Sequence, residues 1–287
     1  MTTICGILPL RAGVALGYPF ELAVRSLQRF CNHVVVSVDP TTADAEETVR
    51  RLWALNEDWG DTGRVEVISS SWDMTNHNGM NNNEISVQTD YLIEYVSAYC
   101  AQRDDWIYSL QADEIIHEDD ASKLRELVER AAQEGLTGIE QERIYFYGDL
   151  ETVRTDWTIC MVRLFQRECW EPDRDGAMRF WPAHHPGNVT VAQDWSDAVT
   201  VPIYHYSRIG DPKLIAERIR GLDRMFHAPE KVTEGDLPAY DFVPRQLDTY
   251  VKDAPAELAP GVLQPWTGNH PAGVRDFYNK QLPEAGA

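Results

Sequence analysis

Short apolar runs alternate with helical patterns over the first hundred residues of the chain. The runs from Ile4 to Leu10 and from His33 to Val38 predict buried strands, because they are short and rich in branched side chains. The segment between them predicts a helix, with apolar residues at helical spacing at Phe20, Val24, Leu27 and Cys31. Thr41 or Thr42 is available to cap a second helix after the second strand.

Two more strands are predicted at Val65–Ile68 and Trp106–Leu110. The helix between them is indicated by Ile85, Leu92, Val96 and Tyr99. Repeated strand–helix alternation predicts an α/β fold with a mostly parallel sheet flanked by helices. Ligands of such sheets bind at the carboxyl ends of the strands, and Asp39 and Asp113 both follow such ends.

The pattern changes in the second half of the chain. Residues 139–147 and 157–165 form longer aromatic runs, which indicate an antiparallel or mixed extension of the sheet. Residues 199–206 predict one more strand, and Asp211 with Pro212 begins a helix. We therefore expect one domain over residues 1–227, with residues 228–287 as an irregular, proline-rich tail packed on it.

Composition narrows the classes of partner. The chain has 287 residues and 43% apolar content, which is enough for a real core. Its 46 acidic and 26 basic residues leave a formal charge of -20, which disfavours nonspecific nucleic-acid binding. Five cysteines without a CxxC pair, together with no basic n-region and no long apolar run, predict a reduced, cytoplasmic protein without a transmembrane segment.

The strongest chemical signal is the segment Trp106–Ile116, a buried strand that runs directly into the adjacent carboxylates Asp113 and Glu114. Burying such charge needs a partner. A divalent cation is one, because Mg²⁺ or Mn²⁺ takes carboxylate oxygens and bridges them to substrate phosphates. The alternative is a strand end whose acids simply face solvent.

The sequence Gln111-Ala112-Asp113-Glu114 resembles the "DxD" element of GT-A glycosyltransferases of the family-2 type. That element commonly reads Asp-Ala-Asp-Glu, so Gln111 replaces the first acid and Asp113 matches the metal-binding one. The resemblance extends to about Phe226 and implies the GT-A fold, a Rossmann-like nucleotide-diphospho-sugar transferase architecture with a mixed C-terminal extension. It also implies a nucleotide-sugar donor at Gln111, Ala112 and Asp113, and Mn²⁺ or Mg²⁺ as cofactor.

The same resemblance implies donor contacts in the first half of the chain. It assigns Pro9, Leu10 and Arg11 to the loop that lines the nucleotide, Asp39 to the neighbourhood of the base, and Asn78 to a polar loop beside the donor. Arg11 as a surface residue, Asp39 as turn chemistry and Asn78 as a cap remain open alternatives.

In the second half, His205 resembles the histidine that completes the metal shell in many GT-A enzymes, although a core histidine is the alternative. Arg163 lies in a strand that resembles a structural landmark of the family. Where the family commonly shows His-Glu with a glutamate base, this chain has His184-His185. A histidine of near-neutral pKa can take a proton from an acceptor hydroxyl, so His185 is the first candidate base and Asp175 the second.

These residues predict transfer of a sugar from a nucleoside-diphosphate donor to a hydroxyl acceptor, with inversion. The acceptor is a glycan, a lipid-linked sugar or a modified nucleobase. A catalytically degenerate carbohydrate-binding module is one alternative, since the first acid and the usual base are missing. A sugar-phosphate nucleotidyltransferase is another, which the glycine-poor segment after the first strand disfavours.

Overall fold

A computed structural model of the chain describes residues 2–57, 64–74, 84–99, 105–156, 160–166, 170–172, 180–182, 201–226 and 261–281. In chain order the elements are β1 Ile4–Leu10, α1 Phe20–Gln28, β2 His33–Val38, α2 Ala45–Ala54, β3 Arg64–Ser69, α3 Glu84–Tyr99, β4 Trp106–Ser109, β5 Glu114–Ile116, a 3-10 turn Glu118–Asp120, α4 Ala121–Glu134, β6 Gly138–Tyr147, β7 Thr152–Arg154, β8 Cys160–Gln166, β9 Trp170–Pro172, β10 Phe180–Pro182, β11 Ile203–Arg208, α5 Pro212–Phe226, β12 Leu263–Pro265 and α6 Val274–Asn279.

The centre of the sheet is a parallel block in the order β3-β2-β1-β4. The chain moves outward from β1 through β2 and β3, and then returns to place β4 on the other side of β1. Such a reversal is a topological switch point, where open α/β sheets bind ligands outside the carboxyl ends of their strands. Here those ends are Leu10 of β1 and Ser109 of β4.

Both faces of the parallel block are covered by helices. Successive side chains of a strand point to opposite faces, and one face of β1 and β2 joins a cluster with α1, α2 and α4 that includes Leu8, Val36 and Leu27. The other face, with Ile7 and Val35, packs against α3. This double burial explains why these strands are continuously apolar rather than alternating.

Beyond β4 the sheet becomes mixed. Strand β8 runs antiparallel between β4 and β6, and β7 and β12 continue the antiparallel edge. Strand β11 pairs parallel with β6 and antiparallel with β5, and this register sets His205 opposite Glu114. The extension therefore brings the second half of the chain to the carboxyl end of β4.

The predicted α/β architecture, with its parallel centre and mixed extension, is confirmed. Strand β1 has the predicted bounds, whereas β11 begins at Ile203 within the predicted 199–206 run and continues to Arg208. The prediction that Thr41 or Thr42 caps a helix is wrong: α2 begins at Ala45, and both threonines hydrogen bond to Asp39 instead. No helix among the described residues is long and apolar enough to cross a membrane.

The C-terminal segment 261–281 carries a strand and a helix that the sequence pattern did not predict. Strand β12 pairs with β7, and the Trp266 ring meets the Phe146 ring edge-on at a centroid distance of 5.5 Å. The two ring nitrogens of His270 contact the Tyr206 hydroxyl at 3.0 Å and the Leu150 carbonyl at 2.8 Å. This segment is therefore integrated into the sheet and its aromatic core.

A buried ion pair joins β5 to the antiparallel extension. Arg163 of β8 donates to Glu114 at 2.8 Å, and both side chains are fully buried. Arg143 of β6 lies 3.7 Å from the same carboxylate oxygen. Because a buried charge without a partner is costly, these contacts fix the position of Glu114, and with it the neighbouring Asp113.

We expect Arg163→Met to lower the free energy of unfolding by about 3–5 kcal/mol, because it leaves Glu114 buried with a weakened ion pair. Urea denaturation measures this change. Arg50→Met is the matched control, since Arg50 pairs with Glu47 at an exposed position on α2 and its loss is expected to have no measurable effect. Equal effects of the two variants would contradict a stabilising role for the buried pair.

Candidate active site

The loop between β1 and α1, residues 11–19, begins at the carboxyl end of β1. Ala12 has a φ of 51°, a left-handed conformation that turns the chain sharply after the strand. Asp44 accepts hydrogen bonds from the amides of Val14 and Ala15, each at 2.8 Å. The loop amide of Tyr18 bonds back to the carbonyl of Gly13 at 3.0 Å. The loop therefore has a defined shape at the switch point of the sheet.

Arg11 and Asp39, both expected to contact the nucleotide, contact each other. The Nε of Arg11 donates to Asp39 at 3.1 Å, and the other oxygen of Asp39 accepts from the amide and the hydroxyl of Thr41 at 3.0 and 2.7 Å. Asp39 is fully buried, whereas the Arg11 side chain is 30% exposed. One oxygen of Asp39 thus stabilises the turn after β2 and the other binds Arg11, which is the more accessible member of the pair.

Asp113 lies in the tight turn between β4 and β5. The amide of Gln111 donates to the Glu114 carboxylate at 2.9 Å, and the amide of Glu114 donates to the Gln111 carbonyl at 3.1 Å. The backbone of Tyr206 on β11 donates to the carbonyl of Asp113 at 2.8 Å. These three bonds fix the backbone of the turn and hold Asp113 beside β11.

Asp113 and His205 face each other where the β4–β5 turn meets β11, a place that we call the junction. The Oδ1 of Asp113 lies 3.6 Å from the Nε2 of His205, which is too far for a hydrogen bond, and both side chains are about nine-tenths buried. Burial and then the neighbouring Glu114 raise the pKa of Asp113 to about 6. Burial and then nearby arginines lower the pKa of His205 well below its ordinary value, so His205 is neutral at pH 7.

Arginines surround this pair in a chain that is otherwise strongly acidic. Among the described residues, four arginines lie close enough to His205 to lower its pKa. This concentration of positive charge contrasts with the formal charge of -20 for the whole chain. The junction is therefore suited to a ligand with multiple negative charges. The four arginines are Arg143, Arg163, Arg208 and Arg218.

The Asp113–His205 pair fits a divalent cation. Neighbouring ligands of an octahedral Mg²⁺ lie about 3 Å apart, so the observed 3.6 Å needs only a small closure. The neutral imidazole has one lone pair, which Nε2, the nitrogen that faces Asp113, can donate when the proton is on Nδ1. No cluster of three or more His, Cys, Asp or Glu suited to a metal occurs among the described residues. Substrate phosphates and water would complete the shell.

The other predicted site residues divide into two groups. Pro9 and Leu10 are buried in β1, and Ala112 is buried in the β4–β5 turn with the half-buried Gln111 beside it. Asn78, Asp175 and His185 lie outside the described residues. The structure thus brings together the carboxyl ends of β1, β2 and β4 with His205 of β11. A surface depression in the C-terminal segment, between residues 269 and 276, contains none of these side chains.

Sequence reasoning missed two side chains of this junction, Tyr145 and Arg218. Tyr145 packs its ring 4.7 Å from that of His205, and its hydroxyl accepts from Arg208 at 3.2 Å. Arg218 of α5 is buried, and its guanidinium lies over the ring of Tyr18 at 4.7 Å. An arginine within the apolar face of α5 was the available signal for Arg218, whereas the contact of Tyr145 depends on strand pairing between β6 and β11.

Neither a protein-family profile nor the sequence of a curated protein matches this chain. A structure of S. aureus TarS aligns with 77% of this chain and 39% of its own length, at 11% identity and a TM-score of 0.41. A structure of S. aureus TarS 1-349 in complex with UDP aligns with 79% of this chain and 67% of its own length, at 11% identity and a TM-score of 0.41. A structure of 4-diphosphocytidyl-2C-methyl-D-erythritol synthase aligns with 58% of this chain and 76% of its own length, at 13% identity and a TM-score of 0.36. Similarity at this level carries no conclusion about activity.

The raised pKa of Asp113 predicts a pH-dependent cost to the folded state. Ionising Asp113 in the fold costs about 3 kcal/mol more than in the unfolded chain at pH 8. This cost decreases as the pH falls through 6, because the folded state then takes up a proton that the unfolded state does not bind until about pH 4. Asp113→Asn is therefore expected to raise the free energy of unfolding at pH 8 in EDTA, and by about half as much at pH 5.

Urea denaturation at the two pH values measures this effect. Asp39→Asn is the contrasting control: its carboxylate accepts bonds from Arg11 and Thr41, so its replacement is expected to destabilise the protein at pH 8. A loss of stability at pH 8 in Asp113→Asn would show that burial does not penalise the Asp113 charge.

Proposed function

We propose that this chain is a glycosyltransferase that uses a nucleoside-diphosphate-sugar donor and a divalent cation. The observation that carries the proposal is the buried Asp113–His205 pair, at the carboxyl end of β4 and close to four arginines. The switch point between β1 and β4 is where an α/β sheet of this topology receives a nucleotide. The Asp-Glu segment that resembles the GT-A element lies at the same place.

The side chains of the junction would have different roles in donor binding. Asp113 and His205 would hold Mn²⁺ or Mg²⁺, which supplies positive charge against the departing diphosphate. Arg208, bonded to Tyr145 beside His205, and Arg11 at the end of β1 provide fixed positive charge on either side. Glu114, in contrast, accepts hydrogen bonds from Arg163 and from the backbone amide of Gln111, so both of its oxygens have protein partners.

The proposal also names the catalytic base and the class of acceptor. We propose His185 as the group that takes the proton from the acceptor hydroxyl, with Asp175 as second candidate, and inversion as the outcome. Asn78 is proposed as a further contact to the donor. The acceptor is proposed to be a glycan, a lipid-linked sugar or a modified nucleobase, since each offers a hydroxyl to the same chemistry.

A donor-turnover assay tests the proposal. The protein is incubated with nucleotide-sugars of uridine, guanosine and thymidine in Mn²⁺, and released nucleoside diphosphate is measured with and without EDTA. We expect release that EDTA abolishes. We also expect Asp113→Ala and His205→Ala to lower kcat/KM by about 100-fold or more, because charge on the leaving diphosphate is no longer offset.

Matched variants control for general damage. Asp119→Ala removes an acid that is 85% exposed, and His33→Ala removes a surface histidine paired with Glu66, so both are expected to keep activity. Release of pyrophosphate from a nucleoside triphosphate would identify a nucleotidyltransferase instead. Glycan binding with no turnover of any donor would identify a carbohydrate-binding module, and either outcome would overturn the proposal.

A further inference from the structure

Arg218 of α5 contacts two other parts of the junction, one of which is remote from it in sequence. Its Nε donates to the carbonyl of Leu16 at 2.8 Å, and one terminal nitrogen donates to Gly17 at 2.5 Å. The other terminal nitrogen reaches the carbonyls of Ser207 and Ile209 at 3.4 and 3.2 Å. One guanidinium thus joins the β1–α1 loop to the end of β11.

These contacts use the specific shape of the arginine side chain. A guanidinium presents five donors in a planar fork, whereas a lysine ammonium is a compact point charge that cannot reach the same acceptors in one plane. Arg218 is only 3% exposed, and its guanidinium also lies over the Tyr18 ring. The guanidinium of Arg218 is therefore held at the loop by hydrogen bonds to backbone carbonyls, and not by an ion pair with a carboxylate of the described residues.

Gln281 reaches the same loop from the C-terminal segment. Its Nε2 donates to the carbonyl of Gly17 at 3.1 Å, so Gly17 accepts from both Arg218 and Gln281. Gly17 has a φ of 61°, and a Cβ there would lie 2.7 Å from Leu214 of α5. At Gly210 a Cβ would lie 2.8 Å from the Oε1 of Gln281. The loop, α5 and the C-terminal segment are thus in close contact around Gly17.

We propose that Arg218 and Gln281 are positioning residues, which hold the β1–α1 loop in the shape that receives the diphosphate of the donor. This inference rests on the proposed function, because it assigns the loop to the donor site. The loop is anchored at its middle by Asp44, and at its end by Arg218 and Gln281. Loss of the second anchor leaves Asp113 and His205 in place but displaces the loop that faces them.

Binding of nucleoside diphosphates separates positioning from mere stability. UDP, GDP and dTDP, each with Mn²⁺, are titrated calorimetrically into wild type, Arg218→Met, Arg218→Lys and Gln281→Ala. We expect at least about a tenfold rise in Kd for Arg218→Met, because it displaces the loop and also removes one of the positive charges near His205, whereas Gln281→Ala changes the position of the loop without a change of charge. Arg218→Lys should lie between wild type and Arg218→Met, and Gln281→Ala should weaken binding severalfold through loss of one hydrogen bond.

The binding stoichiometry provides the discriminating readout. A variant that only unfolds part of the sample lowers the number of sites but leaves Kd unchanged, whereas a displaced loop raises Kd at full stoichiometry. Hydrogen exchange of residues 12–18 should be faster in Arg218→Met and Gln281→Ala. Arg220→Met is the matched control, because Arg220 lies on the same helix, is 38% exposed and pairs with Glu217.

The outcomes distinguish this inference from the function on which it rests. If wild type binds a nucleoside diphosphate and the Arg218 and Gln281 variants bind it with the same Kd, the positioning role is refuted and the proposed function stands. If wild type binds none of UDP, GDP and dTDP with Mn²⁺, the proposed function fails and the inference fails with it. Should Arg218→Met not fold, Arg218→Lys and Gln281→Ala decide the question by the same measurement.

Discussion

The junction depends on the unequal pairing of two adjacent buried carboxylates. Glu114 has Arg163 at 2.8 Å and bonds to the turn backbone, so its charge is offset inside the protein. Asp113 lies 3.6 Å from the neutral His205, and no arginine or lysine in the described part of the chain forms an ion pair with it. A buried charge left in this condition is unfavourable, and its pKa is raised accordingly. Asp113 is therefore a position where a cation would relieve a cost that the fold itself imposes.

The architecture brings remote segments to this one point. The parallel block supplies the ends of β1 and β4, and β11 returns from the second half of the chain to place His205 beside Asp113. Helix α5 and the C-terminal segment then meet the β1–α1 loop through Arg218 and Gln281. A site built from segments so far apart in sequence depends on correct folding of the whole sheet, and the Glu114–Arg163 pair supports that sheet from within.

The parallel half of the fold was predictable because its signals are local. Strand β1 and its helix are encoded by short-range apolar patterns, and the same holds for the end of β4 at Asp113. The mixed half was predictable only in outline, since β5, β7 and β12 have three residues each and depend on partners far along the chain. For the same reason the sequence identified Asp113 and His205 singly, whereas the contact of Tyr145 with His205 required the pairing of β6 with β11. Asp39 shows the reverse case, because the turn chemistry at Thr41 competes with any contact to a ligand.

Direct observation of the metal tests the central claim. Crystals grown with Mn²⁺ and UDP, with diffraction data collected at an energy that reveals manganese, would show whether the ion binds at this junction. We expect an anomalous peak about 2.0–2.3 Å from both a carboxylate oxygen of Asp113 and a ring nitrogen of His205, and the loss of that peak in Asp113→Asn. A peak elsewhere, or nucleotide bound at the junction with no manganese beside Asp113, would contradict it.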